Sequence, residues 1–307
     1  MRRASPPSRL IDPAAGFAHG QPPSTAVSGR ARADPRADHP WLQRLADLHG
    51  AVGAAVLECA RGRTGLTNAK GDAVKVFDLV ANDAALAFLE TLRIPLLVES
   101  EEVEAPIKVG TGTPRHRLVL DPVDGSDNWA RGLPLSAVCC AVLEPDAPLH
   151  SDFVASAMVG PLEWEIPLLA ERGSGAWYGA VCLETSAVCR VADAVIAIEL
   201  NHYTPPPRLA GIMAQARGVR SYGCASRALA LVACGAIDAY IDVRGRLTAE
   251  SYLAAARLLL EAGGCVAGLD GAPLASARGL TDRVALIAAA SESLCKEIAK
   301  RLNDDHT

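Results

Sequence analysis

Between Trp41 and Cys59 the apolar residues Trp41, Leu42, Leu45, Leu48, Val52, Ala55 and Val56 recur at helical spacing, which predicts an amphipathic helix. A Gly- and Lys-rich stretch from Gly62 to Lys75 reads as a loop. Leu79, Leu86 and Leu89 then mark one side of a second helix over Asp78–Thr91. Short apolar runs at Ile94–Val98, Arg117–Leu120, Leu135–Leu143 and Asp152–Val159 predict strands, and Gly173-Ser174-Gly175-Ala176 marks a turn. Further on, strands at Ala194–Leu200, Ala239–Val243 and Val284–Ala289 alternate with helices at Ser226–Ala233, Thr248–Ala262 and Glu292–Leu302. Gly263-Gly264 stops the second of these helices. The alternation is that of an α/β fold, with one α/β unit over 39–188 and a second over 189–307. Residues 1–38 are rich in Pro, Arg, Ala and Gly without a hydrophobic period, and read as a disordered leader.

Composition narrows the function classes. Half of the 307 residues are hydrophobic, enough for one large core or two smaller ones. A net charge of -5 with 21% charged residues lacks the basic stripe of a nucleic-acid binder, so no nucleic-acid partner is expected. No apolar run approaches the roughly 18–20 residues of a membrane helix, and no membrane partner is expected either. The N-terminus lacks a secretory h-region. Nine cysteines without a Cys-x-x-Cys pair or zinc spacing suit a reduced, cytoplasmic protein.

The chemistry concentrates where strands end. Arg117–Leu120 runs directly into Asp121-Pro122-Val123-Asp124-Gly125-Ser126, and Ile94–Val98 runs into Glu99-Ser100-Glu101-Glu102. In α/β folds such ends face a cleft. Asp121 and Asp124 repel each other unless a cation lies between them, and Mg²⁺ prefers such oxygen ligands. Gly125 permits a tight turn, and the amides of Gly125 and Ser126 at a helix start suit phosphate oxygens. Asp-Pro-x-Asp-Gly is equally a good turn sequence, so this motif alone leaves turn and metal site both open.

Five blocks in order resemble the inositol monophosphatase superfamily, in particular its archaeal branch with fructose-1,6-bisphosphatase and inositol-phosphatase activity. They are Lys70-Gly71-Asp72 with Phe77-Asp78-Leu79, Ser100-Glu101-Glu102, and Asp121 through Asn128. The last two are Gly223 to Tyr240 and Glu261-Ala262-Gly263-Gly264. The resemblance implies a layered α/β sandwich of two subdomains with the site between them. It implies Mg²⁺-dependent hydrolysis of a small polyol or sugar phosphate such as inositol monophosphate or fructose 1,6-bisphosphate. A homodimer is also common in such relatives. Carried over by residue, Glu101, Asp121 and the Val123 carbonyl would bind one Mg²⁺, and Asp121 with Asp124 would contribute to a second. Asp78 and Ser126 would orient and deprotonate the attacking water, with Gly125, Ser126 and Asp127 against the substrate phosphate.

One position departs from the pattern. The superfamily places an Asp ten residues before the Glu of Glu-Ala-Gly-Gly, and here that residue is Ser251. Three readings follow: the neighbouring Glu250 binds the second metal, Ser251 holds it weakly through water, or the second site is lost. The last would give a slow enzyme, or a non-catalytic protein that binds a phosphorylated ligand or a protein partner. Glu250 also suits the first turn of a helix on dipole grounds alone. Arg220, Arg244 and Arg246 are candidates for a substrate phosphate, Arg220 foremost, because a guanidinium fork matches phosphate oxygens. His202 would reach a sugar hydroxyl or cap its own loop.

Overall fold

The computed structural model describes residues 34–59, 63–67 and 73–304. Its first half contains α1 (Pro40–Leu57), β1 (Arg63–Thr67), β2 (Ala73–Lys75), α2 (Val76–Thr91), β3 (Leu96–Ser100), β4 (Ile107–Val109) and β5 (His116–Asp124). There follow α3 (Ser126–Ala130), β6 (Ala137–Leu143), β7 (Ser156–Pro161), β8 (Leu168–Glu171), β9 (Gly175–Tyr178) and β10 (Val181–Cys182). The second half contains β11 (Val195–Ile198), α4 (Pro207–Gln215), β12 (Gly218–Arg220), α5 (Ala225–Ala233) and β13 (Ala239–Leu247). It ends with α6 (Ala249–Glu261), β14 (Cys265–Ala267), β15 (Val284–Ala289) and α7 (Glu292–Asn303).

Two sheets and three helical layers alternate, as expected of an α/β sandwich. The larger sheet has the order β10-β9-β8-β7-β6-β5-β3-β4, antiparallel except where β3 and β5 run parallel. The smaller has the order β12-β11-β13-β15-β14. The apolar runs of β5 and β6 are buried on both faces, so alternate residues enter different cores. Leu118, Leu120, Val138, Cys140 and Val142 pack with the apolar faces of α1 and α2. Val119, Cys139, Ala141 and Leu143 face the other way, against α5 and α6. Across those helices lie Tyr240 of β13 and Leu286 and Ala288 of β15. The opposite face of that sheet, with Ile241, Ile287 and Ala289, is covered by α4 and α7. Among the described residues no helix is long and apolar enough to cross a membrane.

Several elements differ from expectation. Part of the predicted Gly62–Lys75 loop pairs as the β1–β2 hairpin, while Lys70-Gly71-Asp72 lies outside the described residues. The expected leader lies outside them as far as residue 33. Pro35–Ala37, which falls within it, is a 3-10 turn capped by Asp34, whose carboxylate accepts from the Arg36 amide at 3.0 Å. Pro207 opens α4, where a missing N–H costs nothing.

The contact between α1 and β7 carries a pH-dependent element. His49 Nε2 lies 3.1 Å from the Pro161 carbonyl oxygen, and the ring is buried over Gly160. A Cβ added at Gly160 would stand 2.3 Å from His49 Cδ2, so only glycine fits beneath the ring. Burial holds the imidazole below its ordinary pKa, with the carbonyl partner opposing. The unfolded chain therefore takes up a proton near pH ~6.5 that the folded chain refuses until lower pH. The expected result is that stability, measured by urea unfolding, falls as pH drops below about 6.5, and that His49→Gln flattens this slope.

Candidate active site

The strand pairing explains how distant acids meet. Because β3 and β5 are parallel neighbours in register Ser100↔Leu120, their C-terminal ends lie side by side. The Glu101 amide continues the ladder, donating to the Leu120 carbonyl at 3.1 Å. Glu101 and Asp121 thus leave adjacent strands at the same level. The β5–β6 register then slips between Asp121 and Asp124, where Pro122 has no N–H to give the ladder. The Asp121 carboxylate accepts from the Val123 amide at 3.0 Å within this bulge. The bulge turns Asp124 toward the second sheet, and Gly125, at φ 78°, starts α3.

Asp124 is held from across the cleft. Its Oδ2 accepts from the Ser226 amide at 2.8 Å, the Ser226 hydroxyl at 2.5 Å and Cys224 Sγ at 3.1 Å. Asn128 makes a second bridge, donating from Nδ2 to the Tyr222 carbonyl at 2.6 Å and to that of Leu135 at 3.1 Å. These contacts tie the Asp121–Ser126 turn to the start of α5.

A cleft of about 510 Å³ opens here, lined by Lys75, Asp78, Glu101, Glu102, Val123, Asp124, Gly125, Ser126 and Asp127 from the first half of the chain. The second half contributes Glu199, His202, Arg244, Arg246 and Ser251, with Arg283 at the wall. Asp78 sits in the first turn of α2, its Oδ2 accepting from the Lys75 amide at 2.8 Å. Burial pushes its carboxyl up to about 6; the Lys75 amide and ammonium oppose this, while Glu101 and Asp127 add to it. Arg244 is clamped to Asp242, which is fully buried, with Nη2 2.7 Å from Oδ2. Its guanidinium is thereby fixed at the cleft wall, within 3.9 Å of Glu199.

The predicted residues do not all converge. Asp78, Glu101, Val123, Asp124, Gly125, Ser126 and Asp127 line the cleft, whereas Asp121 lies buried behind it. Glu250 and Ser251 part company as successive residues on a helix must, about 100° apart. Ser251 faces the cleft, while Glu250 is buried, takes the Thr248 hydroxyl on Oε1 and lines a neighbouring cavity with Val103, Pro106 and Leu280. The structure therefore does not bring Glu250 into the cleft to replace the missing Asp. Arg220 is likewise absent from the lining: it is exposed on edge strand β12 and donates to the Val219 carbonyl. Arg244 and Arg246 take that place. Lys75 is a cleft residue that the sequence reading passed over. Its signal was slight: a lysine three residues before an expected catalytic acid.

The lining suits a hard cation. Its anionic donors are all carboxylates, and Asp78 Oδ1 is buried without a hydrogen-bond partner among the described residues. Six carboxylates in the lining face four cationic side chains, an excess of negative charge to which Asp121, buried behind the lining, adds. As the side chains stand, no three His, Cys, Asp or Glu residues among those described converge on a point.

An acid-lined cleft at parallel strand ends, between two sheets and with the clamped Arg244 guanidinium on its far wall, has the chemistry to receive a cation and a phosphorylated small molecule. Residues 41–306 match the model of the inositol monophosphatase family, and the chain belongs to that family. It is 30% identical over 243 residues to the fructose-1,6-bisphosphatase/inositol-1-monophosphatase of Methanothermobacter thermautotrophicus, covering 76% of this chain and 85% of that one. To the inositol-1-monophosphatase of Mesorhizobium japonicum it is 31% identical over 207 residues, 66% of this chain and 74% of the other. The fold is shared with the extragenic suppressor protein suhB of Bartonella henselae, at a TM-score of 0.68 and 22% identity, covering 88% of this chain and 99% of that one. The relatives' names describe phosphoric monoester hydrolases.

Proposed function

We propose that the chain hydrolyses a small polyol or sugar phosphate monoester, of the kind its relatives' names describe, by attack of water on phosphorus in this cleft. The observation that carries this reading is the convergence of Asp78, Glu101, Asp124 and Ser126 on one cavity opposite Arg244 and Arg246. Glu101, Asp121 and the Val123 carbonyl are the groups that would hold a Mg²⁺. Bound there, the ion would supply positive charge that eases the loss of a proton from water. Phosphoryl transfer otherwise needs positioning and charge neutralisation.

The residues divide this work. Asp78 lines the cleft anchored by the Lys75 amide, and its second carboxylate oxygen, which has no hydrogen-bond partner among the described residues, would be the acceptor for a water proton. Ser126 lies beside it with a hydroxyl that both accepts and donates. Arg244 and Arg246 face the phosphate with guanidinium groups, the first held rigid by Asp242. The 510 Å³ cleft has room for a sugar ring.

The test is phosphate release from inositol monophosphate and from fructose 1,6-bisphosphate, each with Mg²⁺ and with chelator. Release of phosphate only with Mg²⁺ is expected. No release from either substrate, or release indifferent to chelator, overturns the reading. Ser251 in the cleft favours the second reading, a protein that binds a phosphorylated ligand without turnover. That reading predicts ligand binding by calorimetry and no phosphate release.

A further inference from the structure

Lys75 is the N-cap residue of α2, and its side chain is only 6% exposed. Its Nζ donates to Ser126 Oγ at 2.8 Å and lies 3.0 Å from Asp127 Oδ1. An ammonium is thus lodged between the start of α2 and the start of α3, inside the cleft lined by Asp78, Glu101 and Asp124. Lysine is buried only where its charge is matched, and these groups match it. Across the cavity, the helix position that faces inward is Ser251, which brings no charge.

From these two observations we propose that the Lys75 ammonium is a built-in cation of the cleft, and that the cleft consequently takes a single divalent ion. The residue deepens the phosphatase reading and rests on it for its catalytic meaning, while the ion count stands by itself. Three features support the assignment. The position of Nζ is set at both ends: the Lys75 amide is bonded to Asp78 and the ammonium to Ser126, so the charge is held without a metal. Lys75 adds a positive charge to the lining where Ser251 adds no negative one, and together they lower what a second ion would find. Finally, an ammonium has donors and no acceptor. In its bond to Lys75 the Ser126 hydroxyl is therefore the acceptor, which leaves its own hydrogen to be donated elsewhere. Lys75 is in this respect a positioning residue for Ser126, and its charge lies where an incoming phosphate would be neutralised.

Mn²⁺ binding to the full chain, followed by calorimetry and by loss of the free-ion paramagnetic resonance signal, tests the proposal without reference to turnover. The wild type is expected to bind one Mn²⁺. Lys75→Gln removes the charge and keeps a polar side chain of similar reach. It is expected to bind a second Mn²⁺, or to bind the first about tenfold more tightly or better, since a positive charge no longer opposes the ion. Lys75→Arg keeps the charge and is expected to stay at one. Two or more ions on the wild type overturn the proposal, as does a Lys75→Gln variant that melts normally yet binds Mn²⁺ as the wild type does. Should Lys75→Gln fail to fold, the wild-type and Lys75→Arg counts decide: one ion on each supports the proposal, and more on either overturns it. Failure of the phosphatase reading is distinct, because it would appear as absent phosphate release with the ion count intact.

Discussion

Asp124→Asn is expected to lower kcat/KM for phosphate release by about 100- to 1,000-fold, the usual effect of removing one preorganised charge from a site where charge shifts in the transition state. The substitution is a clean probe because of how Asp124 is held. The Ser226 amide and hydroxyl and the Cys224 thiol all converge on one carboxylate oxygen, Oδ2. An asparagine can turn its carbonyl oxygen to the same donors and keep the bridge between the β5–α3 turn and α5. What changes is the other atom, where a neutral donor replaces half of an anion at the cleft surface. Melting temperature should therefore move little while turnover collapses and the Mg²⁺ requirement rises. Phosphate release unchanged in this variant would remove Asp124 from the mechanism.

The sequence made this part of the site readable because the residues are close along the chain. From Asp121 to Ser126 the residues themselves give a strand end and a glycine turn into a helix, while the bulge at Pro122 emerges only from the pairing with β6. Glu101 was readable for a related reason, since an acid directly after an apolar strand is delivered to the strand's end. Residues placed by tertiary packing were harder. Glu250 and Ser251 differ by one helical step, and only the seating of α6 between two sheets decides which faces the cleft. Arg220 and Arg244 both follow strand residues, but β12 is an edge strand and β13 is central. Arg244 is tied down by a buried aspartate two residues away, while Arg220 faces solvent.

The same division holds for the fold. Helices α1 and α2 carry one apolar face over three turns or more, α6 is buried nearly all round, and strands β5 and β6 are continuous apolar runs, so length and pattern identify them. Strands β4, β10, β12 and β14 have only two or three residues and lie at sheet edges. Such short segments have no period of their own; they are strands because a neighbouring strand offers them hydrogen bonds. Part of the Gly62–Lys75 stretch is strand on the same ground, and Lys75 ends β2 and caps α2 in one step.

Gly125→Ala is expected to cost about 2–5 kcal/mol of stability, from roughly 1–2 for a left-handed backbone and roughly 1–3 for overpacking. Gly125 has φ 78°, and a Cβ there would stand 2.9 Å from both the Cys224 Cβ and the Leu135 carbonyl oxygen. Neither neighbour is a flexible chain end. Leu135 O belongs to the backbone and also accepts from Asn128, and Cys224 is buried with its thiol on Asp124. Relief would have to come from moving the α5 N-terminus away from the turn, which lengthens the very bonds that orient Asp124. Stability and turnover should therefore fall together. Gly173→Ala separates the two contributions, because Gly173 has nearly the same φ, 76°, with nothing within 4 Å of an added Cβ. That variant should lose only about 1–2 kcal/mol in urea unfolding and keep its turnover. Equal losses in the two variants would mean that the close approach at Cys224 relaxes freely. In that event, glycine at 125 would serve the turn alone and not the register between the two walls of the cleft.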